Sequence, residues 1–232
     1  MSAAEQAAFR NRKGVLSFNV LAVCTFDGRF QYVMSGWEGS AHDSQVLQAA
    51  IDSRALVVQQ GQFWLGDAGY GLKPHVLTPY RSVRYHLREW RLRSGRAGPD
   101  ALTTPQNREE LFNLRHSTCR NAIERLFGVV KHRFVAFARG LPLRSVQDQA
   151  YVVYAMAVLH NYIRTWTQGA DALEQAYLRE QAAQARDVEP EDEDEGAQGM
   201  RPAELDAWRN HLAQTMWDQY QQYVTANITR RR

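Results

Sequence analysis

The acidic side chains best placed for chemistry in this chain are Asp67, in Leu65-Gly66-Asp67-Ala68-Gly69-Tyr70, and Glu124, inside the helix-forming stretch 115–134. Asp67 follows a brief apolar run that Gly69 and Gly71 would break, so a buried strand delivers it at its end. Taken alone, each acid has a second reading. An Asp at a strand end also serves as a turn or cap residue, and Glu124 can pair with Arg120 one turn earlier, an interaction worth about a few tenths of a kcal/mol. At about 100° per residue, Ile123, Leu126, Phe127, Val130 and Phe134 form one buried stripe, with Arg120, Glu124 and Lys131 together along its half-buried edge. Asp43, in His42-Asp43-Ser44, is a third acid, at a predicted helix start where N-capping is the simpler role. His160 lies on a core helix and reads as a hydrogen-bonded structural histidine. Other chemistries lack local support, since there is no HExxH, P-loop, GxGxxG or GxSxG. Cys24 and Cys119 form no CxxC pair, which argues against a cysteine zinc site or a disulfide framework and for a reducing, intracellular setting.

These residues need elements to position them. Val15 to Phe26 is β-branched and aromatic, Asp27-Gly28 is a hairpin turn signal, and Arg29 to Gly36 reads as the returning strand. A short helix follows over 43–56, capped by Ser40 or Asp43. Residues 81–104 interleave Arg81, Arg84, Arg88, Arg91, Arg93 and Arg96 with Tyr85 and Trp90, an exposed basic insertion whose phosphate-contact and solvated-loop readings both stand. Thr104-Pro105 starts a helical pattern that runs to about Phe134. Residues 145–166 are apolar nearly all round, which predicts burial inside a core. A polar helix over 171–186, an acidic linker over 189–200 and an amphipathic helix over 202–224 complete the chain; Trp208, Trp217 and Tyr220 on the last helix read as a packing or dimerisation stripe.

The modest net charge of +3 hides an asymmetry: residues 1–166 carry 21 basic and 12 acidic side chains, a balance of +9, and residues 167–232 carry 7 and 13, a balance of −6. The body therefore attracts a polyanion and the tail repels it. No apolar run approaches the roughly 18 residues of a membrane span, so the expectation is a soluble protein with no membrane partner.

In register along residues 9–164 stand Asn11-Arg12-Lys13-Gly14 with Ser17 and Asn19, Trp37 to Leu47, Leu65 to Tyr70, Thr78-Pro79-Tyr80, residues 115–134 and Leu159-His160-Asn161. This order resembles the Harbinger-type transposase-derived nucleases of the DDE endonuclease superfamily. The resemblance implies an α/β fold of RNase H-like type, a mixed sheet with flanking helices, over residues 9–166, followed by a helical extension (167–188), the acidic linker (189–200) and a C-terminal helix (201–232). It implies DNA cutting and joining with divalent ions, Mg²⁺ or Mn²⁺, paired roughly 3.5 to 4 Å apart. Asp67 matches the second carboxylate of that pattern and Glu124 the third, with Asp43 a further candidate ligand. Arg84, Arg88, Arg91, Arg120 and Lys131 become candidates for DNA contact. Implied partners are DNA, a Myb-like DNA-binding protein and further copies of the chain, in the nucleus, with the cytoplasm as a second location.

The pattern's first carboxylate belongs upstream of Asn11, in an Asp-Gly-Thr-like strand, and Met1 to Arg10 holds only Glu5. The expectation is a domain incomplete at its N-terminus, impaired in activity, with a loosened sheet edge, an N-terminal surrogate or completion by another chain. The alternative function is a non-catalytic, transposon-derived DNA- or protein-binding module.

Overall fold

The computed structural model describes Phe9 and residues 17–84, 104–135, 145–184 and 203–229. Asn11 to Gly14, Arg88, Arg91 and the rest of the arginine insertion, Glu5, the acidic linker and Arg230 to Arg232 lie outside the described residues. The chain is mixed α/β and divides into two units, one formed by 1–57 and 121–191, the other by 58–120 and 192–232. Among the described residues no helix is long and apolar enough to cross a membrane.

The first unit is built on a hairpin. Strand β1 (Phe18–Cys24) pairs antiparallel with β2 (Phe30–Glu38), and Asp27-Gly28 makes the turn that its residue types predict, with Gly28 at φ +77°. The Thr25 hydroxyl donates to the Asp27 carboxylate and holds that carboxyl below its usual range. Halfway along, Asn19 faces Trp37 while Leu21 faces Met34, so β2 carries a bulge. Gly36 sits in it at φ +99°, where a side chain would be strained, and a β-carbon there would come within 3.3 Å of Ala150. Helix α1 (Asp43–Asp52) buries Val46, Leu47 and Ala50. Its N-cap is His42, not Ser40 or Asp43; Asp43 occupies the first turn, and its carboxylate accepts a hydrogen bond from Asn19 Nδ2 at 2.8 Å.

Helix α3 (Val146–Trp166), capped by Ser145, packs one face on β2. The expectation of burial all round fails here. A two-stranded hairpin covers one side only, and Tyr151, Val158, Leu159, Tyr162 and Trp166 remain exposed. On the covered side, Asn161 both donates to and accepts from the Phe30 backbone, at 2.8 and 2.9 Å. Helix α4 (Ala172–Gln184) begins at Asp171, whose carboxylate accepts from the Glu174 amide and from Arg133. Burial, the largest single influence, would raise the Asp171 carboxyl; the hydrogen bonds from Arg133 and the Glu174 amide and the Arg133 charge together outweigh it and lower it. Arg164 donates to Glu174 and to the Asp27 carbonyl, tying the hairpin turn to α3 and α4.

The second unit holds β3 (Trp64–Leu65), a 3₁₀ turn (Ala68–Tyr70) and β4 (Val76–Leu77), with β3 and β4 parallel. Helix α5 (Ala203–Thr229) supplies Ala213 to a core with Leu72, Leu77 and Phe112, flanked by Leu205, Leu212 and Met216. Tail-helix apolar residues thus find partners within the unit, and Trp208 meets Phe63 edge to face at 5.2 Å. Helix α2 (Arg108–Arg133) is unbroken for 26 residues. It starts at Arg108 instead of Thr104-Pro105, because the Asn107 side chain caps the Glu110 amide at 2.8 Å. Residues up to Arg120 belong to the second unit and those from Asn121 to the first. Parallel and antiparallel pairs both occur, in two separate two-stranded sheets; the described residues do not join them into one.

Candidate metal-binding and catalytic site

Asp67 ends the run that starts with β3. Gly66 precedes it because β3 and β4 approach closely: a β-carbon at 66 would lie 2.9 Å from Val76 Cγ1 and 3.3 Å from Tyr70 Cδ2. The Gly66 amide donates to the Leu77 carbonyl at 3.0 Å, which fixes the backbone immediately before the acid. Asp67 then N-caps the 3₁₀ turn, with Oδ1 accepting from the Gly69 amide at 2.9 Å. Oδ2 faces Arg120 Nη1 at 3.9 Å, with side-chain exposures of 31% and 18% that leave the ion pair half shielded from water. The cap reading of Asp67 is thus realised by one oxygen only. Arg81 donates to the Ala68 carbonyl at 2.8 Å and steadies the turn from its other side.

What aims Arg120 at Asp67 is the N-terminal half of α2. His116, one turn earlier, is buried and donates from Nε2 to the Leu77 carbonyl at 3.0 Å. Burial pushes its pKa down to about 4, so the ring is neutral at pH 7 and its Nε2 proton is the donor the carbonyl requires. Asn113 is fully buried and uses both ends of its amide: Oδ1 accepts from the Tyr80 amide at 2.8 Å, and Nδ2 donates to the carbonyls of Tyr80 and Val83 at 2.9 and 3.2 Å. Arg209 of α5 is buried as well. It donates to the Thr78 and Pro79 carbonyls at 3.4 and 3.2 Å and to Asp206 at 2.7 Å, with its guanidinium 4.1 Å above the Tyr80 ring. Thr78-Pro79-Tyr80 is therefore gripped from α2 and α5 together.

The residue readings missed this support. His116 lies within the stretch 115–134 that contributes to the family resemblance, but nothing in its local spacing points to a role. Asn113 and Arg209 carry no local signal, since a buried asparagine or arginine on a helix looks like any surface polar residue until its partners are known.

Glu124 stands on α2 one turn past Arg120 and is exposed, as is Lys131. The expected half-buried edge is not where Glu124 sits. Arg84 is engaged by Glu110 at 2.9 Å and by the Thr104 carbonyl at 3.3 Å. Asp43 lies in the first unit, on Asn19. Among the described residues, no group of three or more His, Cys, Asp or Glu side chains is placed to hold a metal ion.

His160 is the structural residue the sequence predicts: it is buried, donates from Nε2 to the Gly28 carbonyl at 3.0 Å and meets Phe30 edge to face, and burial pushes its pKa down.

Comparison with known proteins adds a second line of evidence. The family model described as DDE superfamily endonuclease matches residues 1–161. The chain is similar to the putative nuclease HARBI1 of Homo sapiens, 30% identical over 162 residues, which is 68% of this chain and 40% of that protein. It is similar to the protein ALP1-like of Arabidopsis thaliana, 25% identical over 162 residues, 63% of this chain and 35% of that one. A Xenopus laevis putative nuclease HARBI1 aligns at 24% over 210 residues, 88% of this chain and 51% of its own length. The chain spans about half or less of the curated relatives it matches. No solved structure matches.

Proposed function

From the premise that the chain belongs to the DDE superfamily endonuclease family, we propose that it is a transposase-derived, metal-dependent DNA endonuclease domain of RNase H-like type. The proposed reaction is phosphodiester hydrolysis or strand transfer by a two-metal mechanism, with Asp67 and Glu124 as ligands and Asp43 as a further candidate. The observation that carries this reading is the delivery of Asp67 to the end of β3, where Gly66 and the Leu77 carbonyl fix the backbone immediately before the acid.

Mg²⁺ takes oxygen ligands at about 2.0 to 2.1 Å, keeps several waters and is often bound by one or two carboxylates plus substrate phosphates. Asp67 and Glu124 fit it in kind. Bound ions would supply Lewis-acid stabilisation of the attacking and leaving oxygens in an in-line displacement. The chain's own part is positioning: Gly66 and the Leu77 carbonyl set Asp67, while His116 and Asn113 set the helix. Arg120 and Lys131, with Arg84, Arg88 and Arg91, are proposed to meet DNA phosphates, contacts that orient a duplex without reading its sequence. Weak activity by this chain alone is proposed because, among the described residues, only Asp67 and Glu124 match carboxylates of the pattern; DNA, a Myb-like protein and further copies of the chain are proposed as partners by analogy with the family. A nuclear location follows from the proposed substrate.

One observation favours a second reading. Arg120 already places positive charge beside Asp67, as a non-catalytic DNA- or protein-binding module would have it. Nicking of supercoiled plasmid in Mg²⁺ or Mn²⁺ separates the two. The nuclease reading expects metal-dependent nicking that Asp67→Ala and Glu124→Ala each abolish. Nicking that survives both changes removes the catalytic assignment, and DNA binding with no nicking by the unaltered chain supports the module.

A further inference from the structure

Helix α3 carries an apolar face that its own unit does not use. Tyr151, Val158, Leu159, Tyr162 and Trp166 are exposed by 58, 69, 47, 63 and 79%, with exposed Ala155 among them. Their spacing puts all six along one side of the helix over about 22 Å, at about 1.5 Å per residue. The charged residues of α3 are Asp148, in the first turn, and Arg164, which is engaged by Glu174 and Asp27. With aromatic side chains presenting about 150 to 250 Å² each, the stripe leaves roughly 600 Å² of largely apolar surface, at the upper end of what monomers expose.

We infer that this face is a homodimer interface in which α3 of one copy lies antiparallel to α3 of a second. The symmetry of the stripe supports this pairing. A two-fold axis requires a self-complementary patch in which residue i meets j and j meets i. Turned end for end about the midpoint between Val158 and Leu159, the stripe maps onto itself. Tyr151 then meets the second copy's Trp166, Val158 meets Leu159, and small Ala155 meets large Tyr162. Large faces small where Ala155 meets Tyr162, which lets the helices approach, and Tyr151 and Trp166 close both ends, Trp166 already stacked on Tyr162 with centroids 6.3 Å apart. Two such faces bury roughly 1,200 Å² in total, the lower bound for a specific, stable interface. Antiparallel packing also sets the N-terminus of each helix beside the C-terminus of the other, which opposes the two dipoles favourably.

The test is sedimentation equilibrium of the full chain over a concentration series. The unaltered protein is expected to dimerise, and Val158→Glu to weaken the dimer by roughly 100-fold or more, the scale of a central interface residue. Phe26→Ser, which alters an exposed apolar residue on the hairpin turn, leaves it unchanged. Ala155→Tyr weakens the dimer by crowding Tyr162, and adding Tyr162→Ala restores it, because the large and small partners have exchanged places. All of these side chains are exposed, and circular dichroism checks that each variant is folded. The inference is overturned by a protein monomeric at every concentration, including a monomer whose α3 face another part of the chain protects from labelling. It is overturned equally by a dimer that Val158→Glu leaves intact, or by an exchange that fails to restore association.

Discussion

Acidification tests how α2 is fastened beside Asp67. His116 has a pKa of about 4 in the folded chain against an ordinary 6.5, with burial the largest cause and the nearby Arg120 and Arg209 adding to it. The sign follows from the depressed folded value. Above pH 6.5 neither state is protonated, and the histidine costs nothing. Between 6.5 and 4 the unfolded chain takes up a proton that the folded chain refuses, so stability falls as pH falls and levels off below about 4. At about 1.36 kcal/mol per pKa unit the full loss is about 3 kcal/mol, of which roughly 2.5 kcal/mol develops by pH 4.5. The assay is urea unfolding at steps from pH 7.5 to 4.5 for the unaltered chain and His116→Gln. Glutamine keeps an N–H donor for the Leu77 carbonyl but does not titrate; it loses the ring contact with Phe112, a cost that is constant with pH. His160 is depressed in the same direction but is present in both proteins and cancels. Asp27 and Asp171, whose folded values are lowered, lose their contribution as pH falls through those lower values, below this window. The expected result is that His116→Gln is less stable at pH 7.5 and loses about 2.5 kcal/mol less on going to pH 4.5. Parallel pH profiles for the two proteins would refute a buried, neutral His116.

Other consequences are as specific. Gly66→Ala forces a β-carbon against Val76 and should cost about 1 to 3 kcal/mol in urea unfolding, an overpacking cost that Val76→Ala in the same chain partly relieves; a neutral Gly66→Ala contradicts the close approach of β3 and β4. Arg209→Leu removes donors from two backbone carbonyls and should destabilise by about 2 to 3 kcal/mol, with Arg209→Lys a poor substitute because one ammonium does not reproduce the planar fork over Tyr80. Burial pushes the Cys24 thiol up to about 11, whereas Cys119 is exposed; at pH 8 iodoacetamide should label Cys119 first and Cys24 roughly 100-fold more slowly, read by mass spectrometry. Equal labelling would mean that Cys24 is not shielded from solvent as its half-buried position on β1 requires.

Local features were legible wherever a residue type dictates its own backbone. Asp27-Gly28 announces the hairpin, and the break after Leu65 announces an acid at a strand end. The order of motifs also carries the family, because six separate stretches must agree in register. What the residues could not show depends on partners far along the chain. Asn113, His116 and Arg209 act through carbonyls about 30, 39 and 131 residues away, and no local pattern encodes such pairings. Helix α3 misled for a related reason: an apolar side chain records that something should cover it and not whether the cover comes from the same chain. Asp43 is not the cap because the helix starts one residue early, with His42 at the N-cap, and the Asp43 carboxylate accepts from Asn19 on β1 instead.

Asp67 and Glu124 are proposed as ligands of one metal site. The most direct test of this proposal is a Mn²⁺ titration followed by electron paramagnetic resonance, on the unaltered chain, Asp67→Asn, Glu124→Gln and the double variant. Ligands of a shared site are coupled, so each single change should weaken binding by a large factor and the second should add little to the first. Two independent, additive effects, or Mn²⁺ binding untouched by either change, would contradict the account.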